Sequence, residues 1–336
     1  MLDVFYLYNV PPKKIATHLN LISNNLRSLT APLNILDLFS GMGGLGYGFA
    51  RAGFQLTGVD IDSRAGASYS LNRIGKFICA DLTHFEPKGD FDIIMGGPPC
   101  QPWSNLNIRK RNALHPLHRC LWAFFKIARQ NQPLFILLEN VPGLGREPGF
   151  LRELKGLKAA GYSVHVKTVR YSDYGAATSR KRLFVLAVRK DLKTDAGQIF
   201  DSIRPRTPTK IKEIIWDLRN EKWDPSIDHV WTRAATVQRY QRYYETGKYG
   251  WYILDWEKPA PSFGNISKTY ILHPDSFNGG ITRPISVREA LRIIGFPDSY
   301  RFPPRVPLTA KYQMVADAVS PVFSLKLARA IKCVLD

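Results

Sequence analysis

Residues 35–39, Ile-Leu-Asp-Leu-Phe, run without a break into Ser40-Gly41-Met42-Gly43-Gly44-Leu45-Gly46. A short apolar run reads as a buried strand. Here it empties into Gly41, Gly43 and Gly46, spaced as GxGxxG, which specifies a strand–turn–helix unit whose bare backbone can approach a ligand. Such a unit needs strands beside it, and the chain supplies them. Leu56–Asp60, Phe91–Met95, Leu134–Leu138, Val164–Tyr171 and Leu183–Val188 are short β-rich runs alternating with helical stretches. That rhythm implies an α/β fold built on a doubly wound, mostly parallel sheet.

The rest of the chain departs from this rhythm in three places. Ile15, Leu19, Ile22, Leu26 and Leu29 step by four and three, predicting a helix over 12–30. Residues 191–282 hold Trp216, Trp223, Trp231, Trp251 and Trp256 among prolines and turn residues, with no βαβ repeat. Helical periodicity returns in Ser286–Ile294 and Ser324–Leu335. The expected organisation is therefore an N-terminal helical extension (1–31), a main domain (32–190 with 283–336) and a smaller irregular domain (191–282).

Charge and cysteine content narrow the function. In 336 residues, 47 Lys and Arg face 28 Asp and Glu, a net charge of +19 that points to a polyanionic partner, nucleic acid first. Four cysteines without a CxxC exclude a disulfide scaffold and a zinc knuckle. No apolar run approaches the ~18 residues that span a bilayer. The N-terminus carries Asp3 where an export signal would be basic, so a cytoplasmic protein without membrane attachment is expected.

Chemistry gathers at the ends of the predicted strands. Asp60, nineteen residues after Gly41, is placed to accept hydrogen bonds from ribose hydroxyls, and Asp81 from an adenine amine. These suit an adenosine-containing cofactor without separating a nicotinamide dinucleotide from S-adenosylmethionine. Phe91–Met95 leads into Gly96-Gly97-Pro98-Pro99-Cys100-Gln101-Pro102, where prolines pre-orient a thiol at the edge of the sheet. A free thiol is only a few per cent ionised at pH 7, so a nucleophile needs positive potential. From Pro99 to Gln132 there are six basic residues and no acid. Cys79, Cys120 and Cys333 read instead as inert core residues. Glu139 follows an apolar strand, where one-sided desolvation suits a carboxyl to proton donation. Arg180 and Arg182 precede another strand and share a face that can clamp a phosphate or a polar base edge.

In this order the segments resemble the cytosine-C5 DNA methyltransferases of bacterial and archaeal restriction–modification type. The likeness is carried by Asp37-Leu38-Phe39-Ser40-Gly41-Met42-Gly43-Gly44, Asp60, Asp81, Pro98-Pro99-Cys100-Gln101, Glu139-Asn140-Val141 and Arg180-Lys181-Arg182. It continues through Arg283–Pro297 and Ala316-Asp317-Ala318-Val319. The resemblance implies a Rossmann-like methyltransferase fold with a target-recognition domain at 191–282. It implies S-adenosylmethionine held by Phe39, Gly41, Gly43, Gly44, Leu45, Asp60, Ile61, Asp81, Leu82 and Asp317. Cys100 would attack C6 of a cytosine flipped out of duplex DNA. Glu139 would engage N3 and the exocyclic amine, Arg182 would assist at O2, and Arg180 and Asn140 would support them. DNA would be contacted by Gln101, Ser104, Arg109, Lys110 and Arg111 of a closing loop. A separate cognate endonuclease and a monomer on DNA complete the expectation.

Three positions, in two places, depart from the family pattern. Asp317 stands where Asn is usual, after Ala316 where Gly is usual, and Thr178 replaces Gln before the arginine pair. The implied recognition domain is nearly neutral, with 13 basic and 12 acidic residues, so the excess charge lies elsewhere. Within it Arg239, Arg242 and Lys248 interleave with Tyr240, Tyr243, Tyr244, Tyr249, Trp251 and Tyr252. That pattern fits DNA contact by Arg239 and Arg242 with stacking at the gap left by the base, or a small aromatic core. The alternative activity is a tRNA cytosine-C5 methyltransferase of the same fold, whose relatives carry a CFT motif in this region. No cysteine lies between Cys120 and Cys333.

Overall fold

Ile35, Leu36, Leu38, Ile93, Ile94 and Met95 are wholly buried, as strands covered on both faces require. They lie in a computed structural model that describes residues 32–99, 118–233, 237–248 and 250–335. The elements fall in the unit Asn34–Asp336. In chain order they are β1 (Asn34–Leu38), α1 (Gly44–Arg51), β2 (Gln55–Asp60), α2 (Ser63–Leu71), β3 (Lys76–Cys79) and β4 (Ile93–Gly96). Then come α3 (His118–Asn131), β5 (Phe135–Asn140), α4 (Pro148–Ala159), β6 (Tyr162–Arg170) and β7 (Lys181–Arg189). The irregular stretch contains α5 (Ala196–Ser202), α6 (Ile211–Ile215) and α7 (Gln241–Glu245); α8 (Val287–Ile294), α9 (Leu308–Asp317) and α10 (Pro321–Lys332) close the chain. The expected helix over 12–30 and the Cys100 loop lie outside the described residues.

The seven described strands form one sheet in the order β3-β2-β1-β4-β5-β7-β6. Neighbours from β3 to β5 are parallel, as expected, while β7 runs antiparallel to both β5 and β6. One face is covered by Leu121, Phe124 and Phe125 of α3 and Phe150, Leu154 and Leu157 of α4, packed on Leu36, Leu38, Ile94, Ile136 and Leu138. On the other, Phe323 of α10 meets Phe184 of β7 at 4.9 Å. Here α10 also locks onto α1. The Ser324 hydroxyl donates to the Leu45 carbonyl, and a side chain at Gly48 would overlap the Leu325 backbone.

The structure refines several expectations. β5 extends through Asn140, so Glu139 lies inside a strand and pairs with Phe184 rather than following one. β7 begins at Lys181, which places Arg182 in the strand. The β segment expected to end at Asp81 stops at Cys79 as β3, and α9 was not foreseen as an element. Ser286 is the N-cap of α8, where its hydroxyl accepts from the Glu289 amide and the Glu289 carboxylate accepts from the Ser286 amide, while Gly295 ends the helix at φ 107°. Cys79 and Cys333 are exposed and only Cys120 is buried, correcting the reading of all three as core. Cys79 sits on the edge strand and Cys333 caps the last helix, so among the described residues neither has a second layer to cover it.

The stretch after β7 is helical turns and isolated bridges. α5 packs on the sheet, with His165 and Phe200 at 5.7 Å. Farther on, Val237, Tyr244 and Leu272 make a small core of their own, flanked by Tyr240, Trp251, Ile253, Tyr270 and Phe277. Among the described residues no helix is long and apolar enough to cross a membrane.

Candidate active site

The glycine turn is stitched to the end of β2. The Gly41 amide donates to Asp60 Oδ2 at 2.9 Å, and the Asp62 amide donates to Asp60 Oδ1 at 2.9 Å. Phe39, Gly41 and Gly43 all have positive φ, 56°, 52° and 91°. An L side chain resists that conformation, so the two glycines relieve a turn that Phe39 endures. A Cβ at Gly41 would meet nothing within 4 Å, leaving open space where the backbone faces outward. A Cβ at Gly44 would lie 2.5 Å from the Val319 carbonyl oxygen, and one at Gly46 would lie 2.6 Å from Asp37 Oδ2. These two positions thus serve helix packing, while Gly41 serves the opening.

Carboxylates frame that opening. Burial pushes the Asp60 carboxyl up, and the Asp62 and Gly41 amides pull it back. Asp81 is held below its ordinary value by the Thr83 amide and hydroxyl, at 2.9 and 2.8 Å. Ile61 is 69% exposed beside Asp60, whereas Leu82 is buried. Among the described residues the buried Ser40 hydroxyl has no hydrogen-bond partner. Open backbone, an exposed apolar side chain and carboxylates with spare lone pairs fit a cofactor with an adenosine and a polar tail. Sequence reasoning gave no role to Ser40 or to Asp37. The latter is an acid inside an apolar strand, driven well above the usual carboxylate range by burial and by Asp60, with the Tyr69 hydroxyl at 3.5 Å. Its position in the strand was the available signal.

The second half of the site is built at the ends of β5 and β7. Glu139 is 7% exposed, and Arg182 Nε lies 3.0 Å from its Oε1. Burial raises the Glu139 carboxyl; Arg182 and then Arg180 pull it down. Arg180 is wholly enclosed, and burial brings its guanidinium down to about 10. It donates through Nη1 to the Ala316 carbonyl, and among the described residues its Nε has no partner. Asn140 donates through Nδ2 to the Pro98 carbonyl at 2.9 Å, and a Cβ at Gly97 would fall 2.9 Å from Glu139 Oε2. The carboxylate strand thus holds the segment leading to Cys100, which needs glycine there. Thr178 is buried and accepts from the Arg180 amide at 3.3 Å. Asp317 ends α9, accepts from Gln313 Nε2 at 2.9 Å, and acts electrostatically on Glu139 and Arg180.

The structure therefore brings Glu139, Arg180, Arg182 and Asp317 together and joins the glycine turn to Asp60. Cys100, Gln101, Ser104, Arg109, Lys110 and Arg111 lie outside the described residues. Arg239 and Arg242 are exposed. The aromatic residues around them stack among themselves, Tyr240 on Trp251 at 4.9 Å and Tyr243 on Trp251 at 5.6 Å, as a small core does. Lys248 Nζ sits 3.7 Å from the centroid of Tyr243.

Residues 33–333 match the family described as C-5 cytosine-specific DNA methylase. The chain belongs to that family. It is a DNA cytosine-5 methyltransferase that takes its methyl group from S-adenosylmethionine. The methyltransferase is 32% identical over 327 residues to the type II methyltransferase M.FnuDI of Fusobacterium nucleatum, covering 89% of this chain and 94% of the relative. With M.NgoPII of Neisseria gonorrhoeae the identity is 29%, covering 91% and 97%. Among solved structures, a putative DNA modification methyltransferase encoded within a prophage of E. coli superposes with a TM-score of 0.73 at 26% identity, over 90% of this chain and 99% of that one. The S. pombe Dnmt2 methyltransferase superposes with a TM-score of 0.69 at 19% identity, over 90% and 99%, which speaks to fold alone. The family match favours DNA over the tRNA alternative.

Proposed function

We propose that the methyltransferase binds a defined sequence of duplex DNA, turns one cytosine out of the helix, and attacks its C6 with the Cys100 thiolate. The observation that carries this is the Glu139–Arg182–Arg180 cluster, tied through Asn140 to the Pro98 carbonyl two residues before Cys100. A ring carbon inside a stacked pair is out of reach of any side chain, so the base must leave the stack, at a few kcal/mol.

As the Cys100 sulfur bonds to C6, the C5–C6 π electrons move into the ring and negative charge builds toward N3. Glu139, whose carboxyl burial holds toward the protonated form, hydrogen-bonds N3 and the exocyclic amine and supplies the proton there. Arg182 donates to O2, and Arg180 and Asn140 keep the pocket in place. S-Adenosylmethionine, when bound, supplies a methyl group on a positively charged sulfur. Phe39, the Gly41–Leu45 turn, Asp60 with Ile61, Asp81 with Leu82, and Asp317 would hold it. C5, made nucleophilic by the thiolate addition, takes the methyl group. Solvent then takes the C5 proton, N3 returns its proton to Glu139, and the S–C6 bond breaks to restore the C5–C6 double bond and free Cys100 as the thiolate.

Residues 191–282 act as the target-recognition domain, with 32–190 and 283–336 catalytic. Gln101, Ser104, Arg109, Lys110 and Arg111, with Arg239 and Arg242, contact the DNA; the basic residues attract phosphates and do not read bases. The type II relatives support a restriction–modification role on duplex DNA, alongside a separate cognate endonuclease. A single copy working in the cytoplasm at the nucleoid fits that role. The test is duplex DNA carrying 5-fluorocytosine, which cannot lose its C5 substituent as a proton. With S-adenosylmethionine, a covalent protein–DNA adduct is expected and should vanish in Cys100→Ala. Methylation at an exocyclic amine would overturn the mechanism.

A further inference from the structure

Tyr171 is fully buried and lies outside every role assigned so far; the Ser320 backbone amide acts on its hydroxyl oxygen, but among the described residues its proton has no acceptor. Its place follows from strand register. Phe184 pairs with Glu139 on one side and Lys167 on the other, and Arg182 pairs with Val169. Side chains alternate along a strand, so Glu139, Phe184, Arg182 and Val169 share one face of the sheet. The ladder continues one step further, because the Tyr171 amide donates to the Arg180 carbonyl at 3.0 Å. Tyr171 and Arg180 therefore join that face, diagonal to Glu139 across β7. Phe323 backs it there, 6.2 Å from the Tyr171 ring and 4.9 Å from Phe184.

The charges agree with this placement. After burial, the strongest influence on the Tyr171 hydroxyl is the Glu139 carboxylate, which pushes it up, followed by Arg182, Arg180 and the Ser320 backbone amide, which pull it down. The other charged group acting on Glu139 is Asp317, from the end of α9. A phenol proton left without an acceptor in a dry site is costly, on the order of 1–3 kcal/mol. That cost is removed if the site gains an acceptor as the reaction proceeds.

We infer that Tyr171 is a positioning residue for Glu139, its hydroxyl donating a hydrogen bond to the carboxylate once the cytosine is engaged. The inference rests on the reading of Glu139 as the group that protonates N3. The hydroxyl favours the ionised carboxylate, so it readies Glu139 to release its proton and sets the upper pH at which the protonated form persists.

Tyr171→Phe removes that oxygen and keeps the ring against Phe323. Single-turnover methylation across pH should show the alkaline limb moved upward by about one unit, the size of a hydrogen bond to a charged group. A limb that coincides with the parent's overturns the inference. Tyr171→Phe is expected to fold with a melting temperature equal to or above the parent's, since it removes a buried proton that has no acceptor in the free protein. A variant that fails to fold shows the hydroxyl to be structurally bonded and overturns the inference as well. Glu139→Gln separates the underlying reading: full activity there refutes the role of Glu139, whereas an inactive Glu139→Gln with an unshifted Tyr171→Phe profile refutes Tyr171 alone.

Discussion

Glu139 and Glu289 are the same residue in nearly the same degree of burial, and they titrate in opposite directions. Glu139 is raised and Glu289 lowered. The difference lies in what surrounds them. Glu289 receives two guanidinium bonds from Arg283 at 2.7 Å each and the Ser286 amide at 2.7 Å, with His273 Nε2 at 3.7 Å. For Glu139 the described ion pair is one, at 3.0 Å from Arg182. A buried carboxylate with its lone pairs filled stabilises its ionised form and fixes architecture. One left short keeps an appetite for a proton and for a ligand. Among the described residues the shortage around Glu139 extends to the Tyr171 hydroxyl proton, which has no acceptor, and to Arg180 Nε, which has no partner.

The contrast can be broken most sharply at the two glutamates. Glu139→Gln should lower the single-turnover rate by about 10²–10⁴-fold, the range of a lost proton donor, while costing less stability than Glu289→Gln, since only one ion pair is broken. A large fall in its melting temperature would place Glu139 with the architecture instead. Glu289→Gln should do the reverse. Leaving Arg283 unmatched should cost about 3–5 kcal/mol in urea unfolding, with the surviving folded fraction still competent in chemistry.

Acid should separate the regions next. Burial lowers His273 to about 4 and also lowers His229, and Glu289 is depressed too. For all three the unfolded chain binds more protons, so stability rises with pH. The histidine contribution is complete above about 6.5 and is lost as pH falls toward about 4, with Glu289 joining below about 4.5; the His273 share is up to about 3 kcal/mol. Glu139 has the opposite sign, contributing most below its unfolded value and less as pH rises. Urea midpoints between pH 7.5 and 5 that do not fall would contradict the buried histidine environment.

Smaller effects probe the flanks. Asp60→Asn should weaken S-adenosylmethionine about tenfold by calorimetry, the loss of a charge-assisted hydrogen bond. Arg239→Ala should weaken DNA binding only a few-fold and lower the salt slope by about one, with the methylated site unchanged. A switched target sequence would make Arg239 a base reader.

The glycine turn, the strand-end acids and Glu139 were legible in the sequence because each is local. A strand, a turn and the next residue lie within a few positions, so periodicity and composition suffice. Arg180 and Arg182 were visible as a pair on one face, but their meeting with Glu139 depends on the antiparallel register Leu183 to Asn140, which no local pattern encodes. Tyr171 and the Ala316 carbonyl were invisible for the same reason. Glu289 was hidden differently: its partner Arg283 sits six residues away across a helix start, where spacing alone suggests nothing but a solvated charge. Cys79 misled because an apolar strand reads as core whether it lies at the centre or the edge.

The clasp between the first and last helices has a consequence for how the protein is made. The Leu45 carbonyl waits for Ser324, 279 residues later, and Gly44 and Gly48 pack against backbone at Val319 and Leu325. At roughly 5–20 residues per second of synthesis, the cofactor turn spends on the order of 15–60 s as nascent chain before its supporting surface emerges. Throughout that interval α1 has its packing face uncovered. A ribosome stalled anywhere before residue 318 would therefore hold a polypeptide that carries the whole glycine turn yet lacks the wall that shapes it.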